Sequence, residues 1–146
     1  AESVSDLKEL ERSLGMKSQA FYEGFQNVAD RVKDDFVNFL IDAKRQGKSV
    51  FAYGAAAKGN TLLNYAGVRG DLISAVVDRN PAKQGKFLPG SRIPIVSEKE
   101  LRISKPEFVV ILPWNLRTEV MHQLDYVKEW NGAFVTAVPQ LEIVKA

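Results

Sequence analysis

The sequence predicts an α/β fold: a doubly wound parallel sheet of strand order 3-2-1-4-5, preceded by a long amphipathic helix. Three observations lead there. Short apolar runs rich in β-branched and aromatic residues (SVFAY, LISAVV, FVVIL and FVTAV) recur along the chain. They are nearly free of polar residues, as strands buried on both faces of a parallel sheet are. Helical patterns separate them, and right-handed crossovers then place helices on both faces.

The elements follow in order. Val4, Leu7, Leu10 and Leu14 recur at helical spacing, and Gly15 stops that first segment. Residues 21–45 form a long helix, because Phe21, Phe25, Val28, Val32, Phe36, Phe39 and Ala43 step by three or four between charges. Gly47 stands where a C-cap glycine belongs. Residues 49–53 read as strand 1, ended by Gly54. A helix over 58–65 closes at Gly67, and residues 72–77 form strand 2, ending in Asp78. A loop rich in Gly, Pro and Lys spans 79–92. Residues 93–96 fit an edge strand, since Pro94 would spoil a central one. Ser97 caps a short helix. Residues 108–112 form a strand and 115–130 a helix with Leu116, Val120, Leu124 and Val127 on one face. Gly132 ends that helix before the last strand, 134–138.

A chain of 146 residues makes one domain with a helical preface, here residues 1–47 and then 48–146. With 45% hydrophobic and 26% charged residues, the composition excludes disorder, collagen, coiled-coil rods and disulfide scaffolds. No apolar run approaches the roughly 20 residues that cross a bilayer, so no membrane contact is expected. The polar residues 1–11 carry no signal-peptide pattern. Cysteine is absent, which excludes thiol chemistry and cysteine-ligated metal within the chain and fits a cytoplasmic location. A net charge of +2 gives no reason to expect nucleic acid, so charge arguments must be local.

The most informative stretch is Gly54-Ala55-Ala56-Ala57-Lys58-Gly59-Asn60-Thr61, between strand 1 and the next helix. In a doubly wound sheet that turn is where backbone N–H groups and a helix N-terminus meet an anion. Gly54 permits the sharp turn, the alanines permit close approach, Lys58 adds charge, and Asn60 and Thr61 offer side-chain hydrogen bonds. The alternative is a tight turn with no ligand. Two familiar motifs fit poorly. The dinucleotide fingerprint G-x-G-x-x-G has Ala56 at its middle glycine, and the Gly-Lys-Ser/Thr of an ATP-binding loop is replaced by Gly59-Asn60-Thr61.

Asp78 follows Gly59 by 19 positions, where dinucleotide sites place a carboxylate on a ribose hydroxyl. It reads equally as a turn acid before Asn80-Pro81. Residues 79–97 hold Arg79, Lys83, Lys86 and Arg92 and no acid. The loop is either a solvated basic segment or part of a phosphate or pyrophosphate site, and the second is preferred because the small-residue turn lies beside it. Trp114 can stack on a base or sugar. Asn115 can touch the same ligand or cap the next helix, and the cap is the safer role. His122 is the only histidine and reads as a surface residue. No catalytic triad, carboxylate pair or metal-ligand set stands out, so the chain reads as a binder with no catalytic residues of its own.

AYGAAAKGNTLLNYAGV, VVDRNPAKQGKFLPGSRIPI and ILPWN, in this order and spacing, resemble the C-terminal domain of S-adenosylmethionine-dependent sugar C-methyltransferases. These enzymes methylate a nucleotide-linked keto-deoxysugar. The resemblance covers nearly the whole chain, from the long helix to the closing FVTAVPQLEIV. It implies a Rossmann-like domain that helps hold the nucleotide-diphosphate sugar while the methyl transfer happens in a neighbouring domain. The residues it carries over are Gly54, Ala55, Ala56, Lys58, Gly59 and Asn60 in the turn. Asp78, Lys83, Gln84 and Gly85 carry over in the second motif, and Trp114 and Asn115 in the third. Lys86 and Arg92 join this substrate-binding set from the basic loop.

The resemblance also implies partners. A zinc-binding N-terminal domain and a methyltransferase domain holding S-adenosylmethionine would precede this one, and this chain binds neither zinc nor that cofactor. The chain is then a fragment or a separate gene product, inactive in methyl transfer when isolated. Two rivals remain: a free-standing NAD- or CoA-binding regulatory domain, and a structural interaction domain whose rim is empty.

Overall fold

The apolar runs form strands close to where the pattern places them, and each strand sends alternate side chains to opposite faces. The structure, a computed structural model, describes residues 26–146. The strands are β1 (Val50–Tyr53), β2 (Ala75–Val77), β3 (Ile95–Val96), β4 (Phe108–Ile111), β5 (Ala133–Thr136) and β6 (Glu142–Lys145). They make one sheet of order β3-β2-β1-β4-β5-β6. The first five are parallel, in the predicted order, and β6 runs antiparallel to β5. At the centre, Ala52 pairs with Val76 on one side and Val110 on the other.

Residues 26–45 are helical (α1). The chain divides into two compact units, residues 1–31 and 32–146, and α1 from Val32 onward belongs with the sheet. The predicted opening helix with its stop at Gly15, and the stripe residues Phe21 and Phe25, lie outside the described residues.

One apolar face collects Val50, Ala52, Val76, Ile95, Val110 and Val135, covered by Phe36, Leu40 and Ala43 of α1 and by Leu63 of α2 (Ala57–Ala66). Phe36, Leu40 and Leu63 are fully buried. The ring of Phe39 meets Phe108 edge-on at 4.9 Å. The other face collects Phe51, Ala75, Val77, Val109, Ile111 and Phe134. It is covered by Leu101 of α3 (Glu98–Ser104), Val120 of α4 (Arg117–Gln123), and Tyr126 and Val127 of a 3-10 segment (Asp125–Trp130).

The ends of α1 and α2 follow the glycine pattern. Gly47, at φ +72°, donates to Lys44 O while Lys48 N–H reaches Ala43 O, which satisfies the last carbonyls of α1. Gly67 and Val68 do the same for α2.

Several details differ from the pattern. Leu72 and Ile73 are not in β2; both N–H groups turn back to Arg69 O. Ile93 is buried but precedes β3, and Pro94 sits on the edge with its carbonyl accepting from Val76 N–H. The single helix read over 115–130 is three pieces, opened by a 3-10 turn at Trp114–Leu116. That tighter turn shifts the helical phase, so Leu116 is exposed while Val120, Leu124 and Val127 are buried. The left-handed residue ending the last piece is Asn131, not Gly132. Gly132 is needed for space instead, because a Cβ there would collide with Val127. Strand β6 escaped the pattern because its alternating residues are half-exposed on a sheet edge.

Candidate functional site

At the carboxyl end of β1 the chain turns through Gly54, whose φ of +98° favours glycine. A Cβ at Gly54 would come within 2.7 Å of Pro113 Cδ, so the turns after β1 and β4 touch here. Gly59 serves packing: a Cβ there would lie 2.7 Å from Leu112 Cβ. It is buried in the first turn of α2 against the end of β4, and does not face the rim.

Helix α2 begins after Ala56, which is extended and gives no side-chain cap. No acid stands in its first turn. The first N–H groups of a helix have no partner within it, so this end is a positive pole with no acid of its own first turn against it. Ala56, Ala57 and Lys58 are exposed there. The Lys58 ammonium lies 5.9 Å from the Trp114 ring centroid, which joins two of the motifs picked out in the sequence. Asn60 keeps a buried amide oxygen without a partner. Thr61 spends its hydroxyl on Ala57 O within the helix.

Trp114 and Asn115 open a cavity of about 320 Å³ at the ends of β4 and β5. Arg117, Thr118, Thr136 and Glu142 line the rest of its polar wall. Arg117 and Glu142 form an ion pair between α4 and β6, and the guanidinium holds the Glu142 carboxyl below its ordinary range. Asn115 is exposed at this cavity and caps no helix, because the 3-10 turn puts Leu116 at the start of α4. The sequence reading missed these wall residues. Pro139 between two β-branched runs was the available sign of a hairpin that would bring Glu142 alongside.

The second motif ties itself to the first. Asp78 accepts from Ala55 N–H through Oδ2 at 2.9 Å and from Asn80 N–H through Oδ1 at 2.8 Å. Lys83 donates to Ala55 O at 2.9 Å and lies 3.9 Å from Asp78 Oδ2. Gln84 donates to Asp78 O. The other basic residues of the loop diverge. Residues 86–95 fold back on themselves, with Ile95 N–H on Lys86 O and Leu88 N–H on Ile93 O. The tip of that hairpin rests on Asn64, which donates to Pro89 O. Asn64 is about 10 Å along α2 from its start, by helical rise. Arg92 stacks on the exposed ring of Phe87.

Arg79 turns to the opposite face and pairs with Glu98 at 2.7 Å, which raises its pKa. Glu98 also accepts from the Tyr126 hydroxyl at 2.7 Å. Burial first, and then that hydrogen bond, push the Tyr126 hydroxyl well above its ordinary pKa. The Gln123 amide, with its oxygen turned inward, accepts from Tyr53 Oη at 2.5 Å and Arg79 Nε at 2.7 Å. His122 is exposed, and among the described residues no three metal-ligating side chains converge.

The comparisons with known proteins meet this geometry. The C-methyltransferase C-terminal domain family matches residues 1–139. This chain belongs to that family. The chain is also 31% identical, over 144 residues, to the C-methyltransferase NovU of Streptomyces niveus. The match takes in 99% of this chain and 34% of the relative, so the chain spans about a third of that protein's length. Among the described residues, no helix is long and apolar enough to cross a membrane.

Proposed function

We propose that this domain binds the diphosphate of a nucleotide-linked deoxysugar at the start of α2 and holds the sugar for methylation. The methyl donor, S-adenosylmethionine, would be bound by a methyltransferase domain elsewhere in a longer protein, alongside a zinc-binding domain. The observation that carries this reading is the start of α2: no cap, no acid in its first turn, and Lys58 over the ring of Trp114, which itself lines a cavity. An anion there meets free N–H groups, the helix dipole and an ammonium together. Trp114 offers a ring face to a base or sugar, and Asn115 offers an amide at the same cavity. Lys86 and Arg92 add positive potential from the hairpin without a described contact to the turn.

The test is titration calorimetry with a thymidine-diphosphate sugar. Charge-assisted hydrogen bonds contribute about 1.5–3 kcal/mol, so Lys58→Ala is expected to weaken binding roughly 10- to 100-fold. The melting temperature of the free protein should barely change, because Lys58 is exposed. Binding should also weaken with salt. Equal affinity for the two proteins, or indifference to salt, would remove Lys58 from the site. A melting-temperature rise with NAD or coenzyme A but not with the nucleotide sugar would favour a regulatory domain instead.

A further inference from the structure

The Ala55 peptide, at the heart of the turn before α2, is held from both sides by one loop. Its N–H goes to the Asp78 carboxylate at 2.9 Å and its carbonyl receives the Lys83 ammonium at 2.9 Å. The two side chains stand 3.9 Å apart and neutralise each other. Asp78 is itself fixed: Asn80 N–H occupies its other oxygen, and Gln84 ties down its carbonyl. Its side chain is only 16% exposed. Ala56, Ala57 and Lys58, which follow it, are exposed at the helix start.

We propose that Asp78 and Lys83 are positioning residues: together they clamp the Ala55 peptide and so fix the orientation of the N–H groups that follow it. Lys83 is then not a phosphate ligand, and Asp78 is not a ribose ligand. This rests on the reading that the start of α2 binds a diphosphate. The physical reason is pre-organisation. An anion gains from N–H groups already aimed at it, and a turn left free would have to be ordered during binding.

The two roles predict opposite signs at Asp78. If Lys83 and Asp78 act on a diphosphate only by charge, removing Lys83 weakens binding and removing Asp78 tightens it. If they clamp the turn, both losses weaken binding, and the double loss is less than the product of the single ones because both act on one peptide.

The experiment is calorimetric titration of the 146-residue chain with thymidine diphosphate, using Lys83→Met, Asp78→Ala, the double variant and Lys58→Ala. Amide hydrogen exchange at Ala55 is followed in the free protein alongside. The clamp predicts that Lys83→Met and Asp78→Ala each weaken binding by about 3- to 10-fold, as the loss of one or two hydrogen bonds would. It also predicts faster exchange at Ala55 in both variants, before any ligand is added. Tighter binding by Asp78→Ala, or unchanged Ala55 exchange in Lys83→Met, overturns it. Should Asp78→Ala not fold, Asp78→Asn keeps an acceptor for Ala55 N–H and loses only the charge facing Lys83, and tighter binding by it overturns the clamp. If Lys58→Ala binds like wild type, the diphosphate reading fails instead. The Ala55 exchange rates still report on the clamp in that case.

Discussion

Helices α2 and α3 both begin at the carboxyl rim of the sheet, on opposite faces, and they begin differently. Helix α3 has Glu98 and Glu100 in its first turn, while Ser97 before it, read from the sequence as its cap, makes no side-chain cap bond. Two carboxylates thus compensate its positive pole, and Glu98 is further engaged by Arg79 and Tyr126. Helix α2 has an alanine before it, no acid in its first turn, and a lysine at its second position. Neither start has a side-chain cap, but the positive pole of α3 faces acids of its own first turn, whereas that of α2 faces none. Structural need alone does not explain the second arrangement, because a serine or aspartate before the helix would stabilise it more. On the proposed reading, that difference is what leaves the start of α2 to an anion.

The comparison needs both faces of the sheet to be equally fixed, and its largest test lies there. Phe36 is fully buried in the layer that carries α2. Phe36→Ala is expected to cost about 3–5 kcal/mol, as core phenylalanine truncations do. Denaturant unfolding measures it. A loss near zero would mean that this part of α1 is not packed on the sheet, and the frame holding α2 would fall with it.

The next test converts one helix start into the other. Ala56→Asp gives α2 the cap it lacks. The free protein should gain about 0.5–2 kcal/mol, the usual worth of such a cap. Thymidine diphosphate should bind roughly tenfold more weakly, because the new carboxylate takes the N–H groups and repels the phosphates. Stabilisation without loss of binding would separate the helix start from the ligand site. Thermal unfolding and calorimetry together decide the matter.

Much of this was legible in the sequence, for identifiable reasons. The strand order follows from apolar runs and crossover handedness, which local pattern encodes well. The turn at Gly54 and the tryptophan Trp114 were each picked out by residue type, and the structure brings them together through Lys58. The basic loop was read as one patch because four cations and no acid lie close in sequence. Side-chain direction is not encoded that way. Arg79 crosses to the opposite face, Lys83 turns inward to Ala55, and Arg92 lies on a hairpin against α2. Asn115 looked like a cap because it precedes an apolar helical pattern. The 3-10 turn moved the helix start past it, and such a turn has no strong sequence signature. The role of Gly59 depends on Leu112, 53 positions away, and no local pattern could show that contact.

The smallest expected effect probes the satisfied end. Tyr126 is buried, and its hydroxyl donates to Glu98 in the first turn of α3. Both features favour the neutral phenol, so its pKa is higher in the folded protein than the ordinary value of about 10. The sign follows from linkage. Below that ordinary value the phenol is protonated in both states, and its contribution to stability is complete. As the pH rises past it, the unfolded chain releases a proton that the folded chain retains, so stability falls with rising pH until the folded group also ionises. Tyr126→Phe removes this titration and should flatten the alkaline part of the stability curve relative to wild type. Other tyrosines and the lysines titrate in both proteins, so the difference between the two curves isolates Tyr126. Urea unfolding at a series of pH values from neutral to alkaline measures it. If the two curves run parallel above pH 10, the Tyr126–Glu98 bond does not hold the start of α3, and the contrast with α2 would rest on the acids of α3 alone.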